Sequence, residues 1–158
     1  MKIIDNFLPK KQFEEIKETV TYSLPWYYSR DVGIPKAGDL YYLMHMFYRE
    51  NEVQSNFYHP VIKPLIDIIK PLSLIRAKGN LYPSTHKIYR HEEHVDYSHS
   101  HKGFLYYINT NNGFTILENG KKVESIANRA LFFDSSKMHQ STTCTDQNIR
   151  INININYI

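Results

Sequence analysis

The spacing of apolar residues changes character once along the chain, near Pro71. Upstream, Phe13, Ile16 and Val20 recur at helical intervals with Glu and Lys between them, and Pro9 stands at a first helical position. That predicts an amphipathic helix over residues 9–21 whose apolar stripe packs on a sheet. Trp26-Tyr27-Tyr28 and the run from Leu40 to Phe47 read as aromatic strands, separated by a turn region at Gly33, Pro35 and Gly38. From the candidate cap Ser55 to Lys70, the positions of Val61, Leu65, Ile68 and Ile69 predict a second helix that Pro71 stops. Pro64 falls inside it and argues against an unbroken hydrogen-bond ladder.

Beyond Pro71 the texture is one of short strands between turns, which predicts an antiparallel sandwich or barrel. Strands are expected over 72–82, 102–109, 130–133 and 148–157. A hairpin is expected with arms 115–117 and 122–126 around Asn119-Gly120, a strong tight-turn signal. Lys121-Lys122 then reads as its charged tip. The last strand alternates strictly, Arg150-Ile151-Asn152-Ile153-Asn154-Ile155-Asn156. If Arg150 points inward, Asn152 and Asn154 share its face and the isoleucines pack on another layer. No internal repeat, low-complexity tail or coiled-coil heptad is present.

At 158 residues the expectation is a single domain, 1–158, in which residues 1–71 supply helices and aromatic strands and residues 72–158 a β core. An apolar share of 42% against 22% charged excludes a disordered chain. The net charge of +3 is too small to argue for nucleic acid, and Lys and Arg are spread along the chain with Asp and Glu nearly balancing them. A lone Cys144 leaves no internal disulfide and fits a reducing compartment. The first residues lack a signal peptide's apolar core and no run reaches the roughly 20 apolar residues of a membrane span, so the chain reads as cytoplasmic with no membrane partner.

The chemistry concentrates at His94-Val95-Asp96. On an extended segment, side chains two apart point the same way, so this imidazole and carboxylate can converge on one metal ion. Two histidines and a carboxylate on one face leave the metal's other positions open, as in non-haem Fe(II) oxygenases. His139, downstream of the strand-like Ala130 to Phe133, supplies the second histidine, and Arg150 opens the alternating strand further on.

This order, His-x-Asp, strands, His, then Arg, resembles the Fe(II)/2-oxoglutarate-dependent oxygenases, in particular their prolyl-4-hydroxylase-like branch, over residues 72–158. Tyr106-Tyr107-Ile108-Asn109, Gly113-Phe114-Thr115 and Asn128 to Asp134 match the same branch. The resemblance implies an α+β, mainly β fold: a double-stranded β-helix (jelly-roll, cupin-like) with N-terminal helices packed on one sheet. It implies Fe(II) on His94, Asp96 and His139, with 2-oxoglutarate as co-substrate and ascorbate as an accessory reductant. Arg150 would pair with the distal carboxylate, a task for a planar two-pronged cation. Tyr107 would assist it with its hydroxyl, leaving Tyr106 as a packing residue. Tyr82 is a further co-substrate contact, although it stands further from the His-x-Asp than the family's tyrosine and Tyr89 stands nearer; Asn80 shares its face. The implied activity is a dioxygenase that uses dioxygen to hydroxylate a C–H bond, of a prolyl residue in a peptide, releasing succinate and carbon dioxide.

Other readings stand beside this one. The chain could be a non-catalytic β-barrel binding module, a metalloenzyme without 2-oxoglutarate, or an oxygenase acting on a nucleobase or small metabolite. His86, His91, His99 and His101 read as a solvated or substrate-facing loop, and His45, in an apolar run, as a satisfied core histidine. His91-Glu92-Glu93-His94 lacks the spacing of a zinc-protease helix. The loop His99 to Lys102 and the span Gly33 to Gly38 are expected to close over a peptide, with glycines permitting the movement.

Overall fold

The computed structural model describes residues 1–29 and 41–158. Gly33, Pro35, Gly38 and Leu40, with the closing span expected there, lie outside the described residues.

The chain opens with strand β1 (Lys2–Ile4) and helix α1 (Lys10–Glu18), which runs on as a π-helical turn to Ser23. Strands β2 (Tyr27–Ser29), β3 (Tyr42–Arg49) and β4 (Glu52–Val53) follow. The predicted second helix divides where Pro64 interrupts the ladder: a π-helical turn, Tyr58–Ile62, gives way to α2 (Lys63–Ile69), with Pro64 in its first turn. Lys70 adopts a left-handed cap at φ 51° and Pro71 ends the helix. The rest is β: β5 (Leu74–Pro83), β6 (Lys102–Tyr107), β7 (Phe114–Leu117), β8 (Lys122–Glu124), β9 (Arg129–Asp134), β10 (His139–Ser141) and β11 (Ile149–Tyr157). Gly120 at φ 76° makes the β7–β8 turn, as Asn119-Gly120 foretold.

Among the described residues these strands form two antiparallel sheets. The larger has the order β1-β9-β6-β11-β5-β3-β2, with β4 on β3, and the smaller β10-β7-β8. Bridges Arg90–Thr142 and His94–His139 lay the segment before Asp96 alongside β10, widening the small sheet toward the His-x-Asp. Strand β11 is central, paired with β5 on one side and β6 on the other. Its isoleucines 151, 153 and 155 point to one face of the large sheet, where Phe13, Ile16 and Val20 of the first helix and Val61, Ile62 and Leu65 of the second cover them. The helices therefore pack on one sheet, and the opposite face is free to build a site. His45 is a satisfied core histidine, bonded to the Pro25 carbonyl and the Ser55 hydroxyl, each at 2.7 Å. Strands β1, β4 and β10 are too short to have produced a period in the sequence.

One side chain fastens the helical layer to the barrel. Asn128, left-handed at φ 61°, accepts from the Leu8 N–H through Oδ1 and donates from Nδ2 to the Leu8 carbonyl, while Tyr106 donates to the same Oδ1 at 2.7 Å. Tyr106 is thus a packing residue, facing the helices. Asn128→Ala would leave buried donors and acceptors unpaired, each costing about 1–3 kcal/mol. Urea unfolding of that variant should show a loss of about 3 kcal/mol.

Candidate functional site

The inner face of β11 is polar along its whole length. Arg150, Asn152, Asn154 and Asn156 are all buried, the guanidinium completely. Their cross-strand neighbours on β5 are Tyr82, Asn80, Lys78 and Arg76, so the polar rows of two strands stand side by side. Between them and the small sheet lies a narrow cavity of about 40 Å³, with His94 and His139 at its wall alongside Tyr82, Thr115 and Asn152.

At one end, His94, Asp96 and His139 bring their ligand atoms within 4.8 Å of one another. The two histidines face each other because their backbones bridge, with N–H to carbonyl bonds of 3.0 Å in both directions. The His94 Nδ1 lies 3.2 Å from the Glu92 carbonyl and the His139 Nδ1 2.9 Å from the Lys137 carbonyl. A carbonyl can only accept, so each Nδ1 carries a proton, and in the neutral ring this tautomer leaves the Nε2 lone pair for a metal. Burial lowers the His139 pKa and favours that neutral form. Asp96 Oδ1 accepts from Arg76 at 2.6 Å. Its Oδ2 accepts from Ser135, from Asn156 at 2.9 Å and from Asn154 at 3.3 Å. Burial alone would push this carboxyl up, but the Arg76 charge and these donors together hold it well below the usual carboxylate range. Two imidazoles and an ionised carboxylate suit a divalent first-row metal. Gly103 allows the close packing: a Cβ there would meet the Ser135 Cβ at 2.7 Å.

At the other end, Arg150 Nε donates to Ser125 at 2.8 Å, and its two terminal nitrogens donate to the Thr142 carbonyl and to Thr115 Oγ1, each at 3.2 Å. No carboxylate pairs with it among the described residues. The Tyr82 and Tyr107 rings lie 5.4 and 5.9 Å from the guanidinium carbon. The Tyr107 hydroxyl donates to Thr115 Oγ1 at 2.9 Å, so it reaches the guanidinium through that threonine. Burial raises the Tyr82 phenol to about 12, which keeps it a neutral donor. Gly113 is required here, since a Cβ would stand 2.7 Å from the Arg150 side chain.

Of the residues singled out from sequence, His94, Asp96 and His139 come together at one end, and Arg150, Tyr107 and Tyr82 at the other. Asn80 donates to Asn152 at 2.9 Å and leaves its own oxygen unpartnered. Two of the four loop histidines differ from expectation: His91 and His101 are buried. His91 stacks on Tyr82 at 4.9 Å and is bonded to Ser141, and burial, with the Arg150 and His94 charges, lowers its pKa to about 4. Residues to which sequence reasoning gave no role in the site are Arg76, Lys78, Thr115, Ser125, Ser135 and Asn156, although Thr115 and Asn156 stood in patterns that it read. Arg76 and Lys78 had a signal, the alternation Arg76-x-Lys78-x-Asn80-x-Tyr82, which mirrors that of β11. The serine hydroxyls had none.

Arg76→Leu should destabilise the protein by about 3–5 kcal/mol at neutral pH, because it leaves the Asp96 charge buried without its cation. The carboxyl's depressed pKa contributes stability above the unfolded value near 4 and loses it as pH falls. Thermal unfolding of the two proteins should therefore differ strongly at pH 7, and the difference should start to shrink as pH falls below about 4 and keep shrinking well below it.

No protein-family model matches the sequence, and no curated protein matches it. Solved structures do resemble it. A prolyl hydroxylase in complex with a hypoxia inducible factor oxygen degradation domain peptide fragment, from Trichoplax adhaerens, superposes with a TM-score of 0.70 at 16% identity, covering 99% of this chain and 82% of its own. The viral collagen prolyl hydroxylase of Paramecium Bursaria Chlorella virus-1, as its 2OG complex, gives 0.65 at 12% identity over 99% and 96% of the two chains. HygX from Streptomyces hygroscopicus, with nickel, 2-oxoglutarate and hygromycin B bound, gives 0.62 at 10% over 98% and 81%. At these identities the likeness establishes the fold, and the chain has the jelly-roll, double-stranded β-helix architecture that its sequence resemblance implied.

Proposed function

We propose that the chain is a non-haem Fe(II)- and 2-oxoglutarate-dependent dioxygenase that hydroxylates a C–H bond, with a prolyl residue of a peptide as its substrate. The observation that carries this reading is Arg150, a fully buried guanidinium without a carboxylate partner among the described residues, set behind Tyr82 and Thr115 of the cavity wall that His94 and His139 also line. A desolvated cation is costly until an anion meets it. 2-Oxoglutarate has the form required, a short chain with a carboxylate at each end. Iron(II) held by His94, Asp96 and His139 would supply oxygen activation, with 2-oxoglutarate as the electron donor that leaves as succinate and carbon dioxide.

The chain's own residues then have separable tasks. Arg76, Ser135 and Asn156 keep Asp96 ionised and fix its direction. The Lys137 and Glu92 carbonyls hold the imidazole tautomers. Arg150 offers its remaining N–H groups to the distal carboxylate, with the Thr115 hydroxyl beside it. The narrowness of the cavity excludes bulk water from the bound co-substrate. A second reading, oxygenation of a small polar molecule, draws on the unpartnered amide oxygens of Asn80, Asn154 and Asn156 and on the hygromycin B bound by HygX.

Anaerobic addition of Fe(II) and 2-oxoglutarate should give a visible metal-to-ligand charge-transfer band that His139→Ala abolishes. Arg150→Leu should leave iron affinity in place and weaken 2-oxoglutarate by about one to two orders of magnitude, the equivalent of a charge-assisted contact of roughly 1.5–3 kcal/mol. A band and affinities untouched by either change would move the site elsewhere.

The substrate is tested by succinate release. Proline-rich peptides should stimulate it, with hydroxyproline found in the product. Stimulation by small polar metabolites, with a gain of one oxygen atom seen by mass spectrometry, would favour the second reading, and stimulation by oligonucleotides alone would overturn both.

A further inference from the structure

Lys78 takes no part in holding either Asp96 or Arg150, yet it stands on the cavity wall directly across from Asn154. Its ammonium makes no hydrogen bond and no ion pair with the described residues, and lies 5.7 Å from the centre of the Tyr42 ring. Burial, and then the neighbouring Arg76 charge, lower its pKa to about 8 against the opposing pull of Asp96, so it is mainly a cation at neutral pH. Arg76 has its counter-ion in Asp96. Lys78 and Arg150 have none among the described residues; Lys78 is half-buried on the cavity wall, and Arg150 is fully buried behind Tyr82 and Thr115, which line the same cavity.

The register fixes where each cation acts. Arg150 lies opposite Tyr82, and Lys78 comes four residues earlier on β5, so their backbones are about 13 Å apart at roughly 3.3 Å per residue. Asn154, the cross-strand neighbour of Lys78, itself donates to Asp96, which puts Lys78 at the level of the metal-ligand cluster. We propose that Lys78 is the second cation of a dicarboxylate clamp: it binds the carboxylate at the His94, Asp96 and His139 end while Arg150 takes the distal one. The proposal rests on the co-substrate reading given above. Two cations confined in a low-dielectric cavity repel, and a metal ion beside Lys78 would add to that repulsion, unless an anion lies between them. The unpartnered amide oxygens of Asn80 and Asn154, which share the face of Lys78, are free to accept the ammonium's other protons once it turns to the carboxylate.

Isothermal titration of the nickel(II)-loaded protein with three acids separates the two ends. 2-Oxoglutarate carries both carboxylates, 2-oxopentanoate keeps only the one beside the keto group, and 4-oxopentanoate keeps only the distal one. Lys78→Met should weaken 2-oxoglutarate and 2-oxopentanoate about tenfold and leave 4-oxopentanoate unchanged, as expected for one lost charged hydrogen bond. Arg150→Leu should show the reverse pattern between the two monocarboxylates, and Lys78→Arg should restore most of the lost affinity. Equal losses for all three acids in Lys78→Met, or no loss for any, would overturn the clamp while the Arg150 pattern leaves the co-substrate reading standing. Failure of the native protein to bind any of the acids would remove both.

Discussion

Burying charged and amide side chains along one face of a central strand sets the terms for the rest of this structure. Strand β11 is covered on both faces, by helices over its isoleucines and by the small sheet over Arg150, Asn152, Asn154 and Asn156. Such a face folds only if its groups find partners, and the neighbouring strands are organised to provide them. Arg76 meets Asp96, Asn80 meets Asn152, and Ser125, Thr115 and the Thr142 carbonyl converge on Arg150. The glycines follow from the same demand, since Gly113 makes room for the arginine and Gly103 for Ser135.

Much of this was legible in sequence because it is periodic. The alternation from Arg150 to Asn156 predicted a strand with one polar face, and the helical spacing of Phe13, Ile16 and Val20 predicted the layer that covers the other. The His-x-Asp, the later histidine and the arginine were visible as an ordered set. What escaped has physical reasons. Strand β10, which carries His139, is three polar residues long and exists through its pairing with β7 and with the segment at His94, a contact 45 positions away in the chain. Ser135, Thr115 and Ser125 matter through hydrogen bonds made across the barrel, and an isolated hydroxyl has no pattern to read. His91 reads from sequence as part of a solvated or substrate-facing loop because no fixed spacing repeats among the neighbouring histidines; it lies in a loop but is buried, stacked on Tyr82, which only the tertiary fold brings near it.

The cluster of His94, Asp96 and His139 illustrates how backbone geometry can prepare chemistry. Each histidine is oriented by a carbonyl two residues earlier in its own segment, so the tautomer is set locally, while the approach of the two segments is set by the sheet. Local and long-range constraints thereby agree on the placement of the two rings. Asp96 is arranged differently, held by donors from separate elements, and its position reports the assembled barrel.

The charges in the cavity also couple the two ends. With Asp96 and Arg76 cancelling one another, the positive charges that remain are Lys78 on the cavity wall and Arg150 behind Tyr82 and Thr115. A divalent ion entering such a space raises its potential further and strengthens its hold on a dianion, while a bound dianion lowers the cost of admitting the ion. Linkage makes these two effects equal in size. On the proposed function, metal and co-substrate thus reinforce each other's binding, and the polar face of β11 is the surface through which they do so.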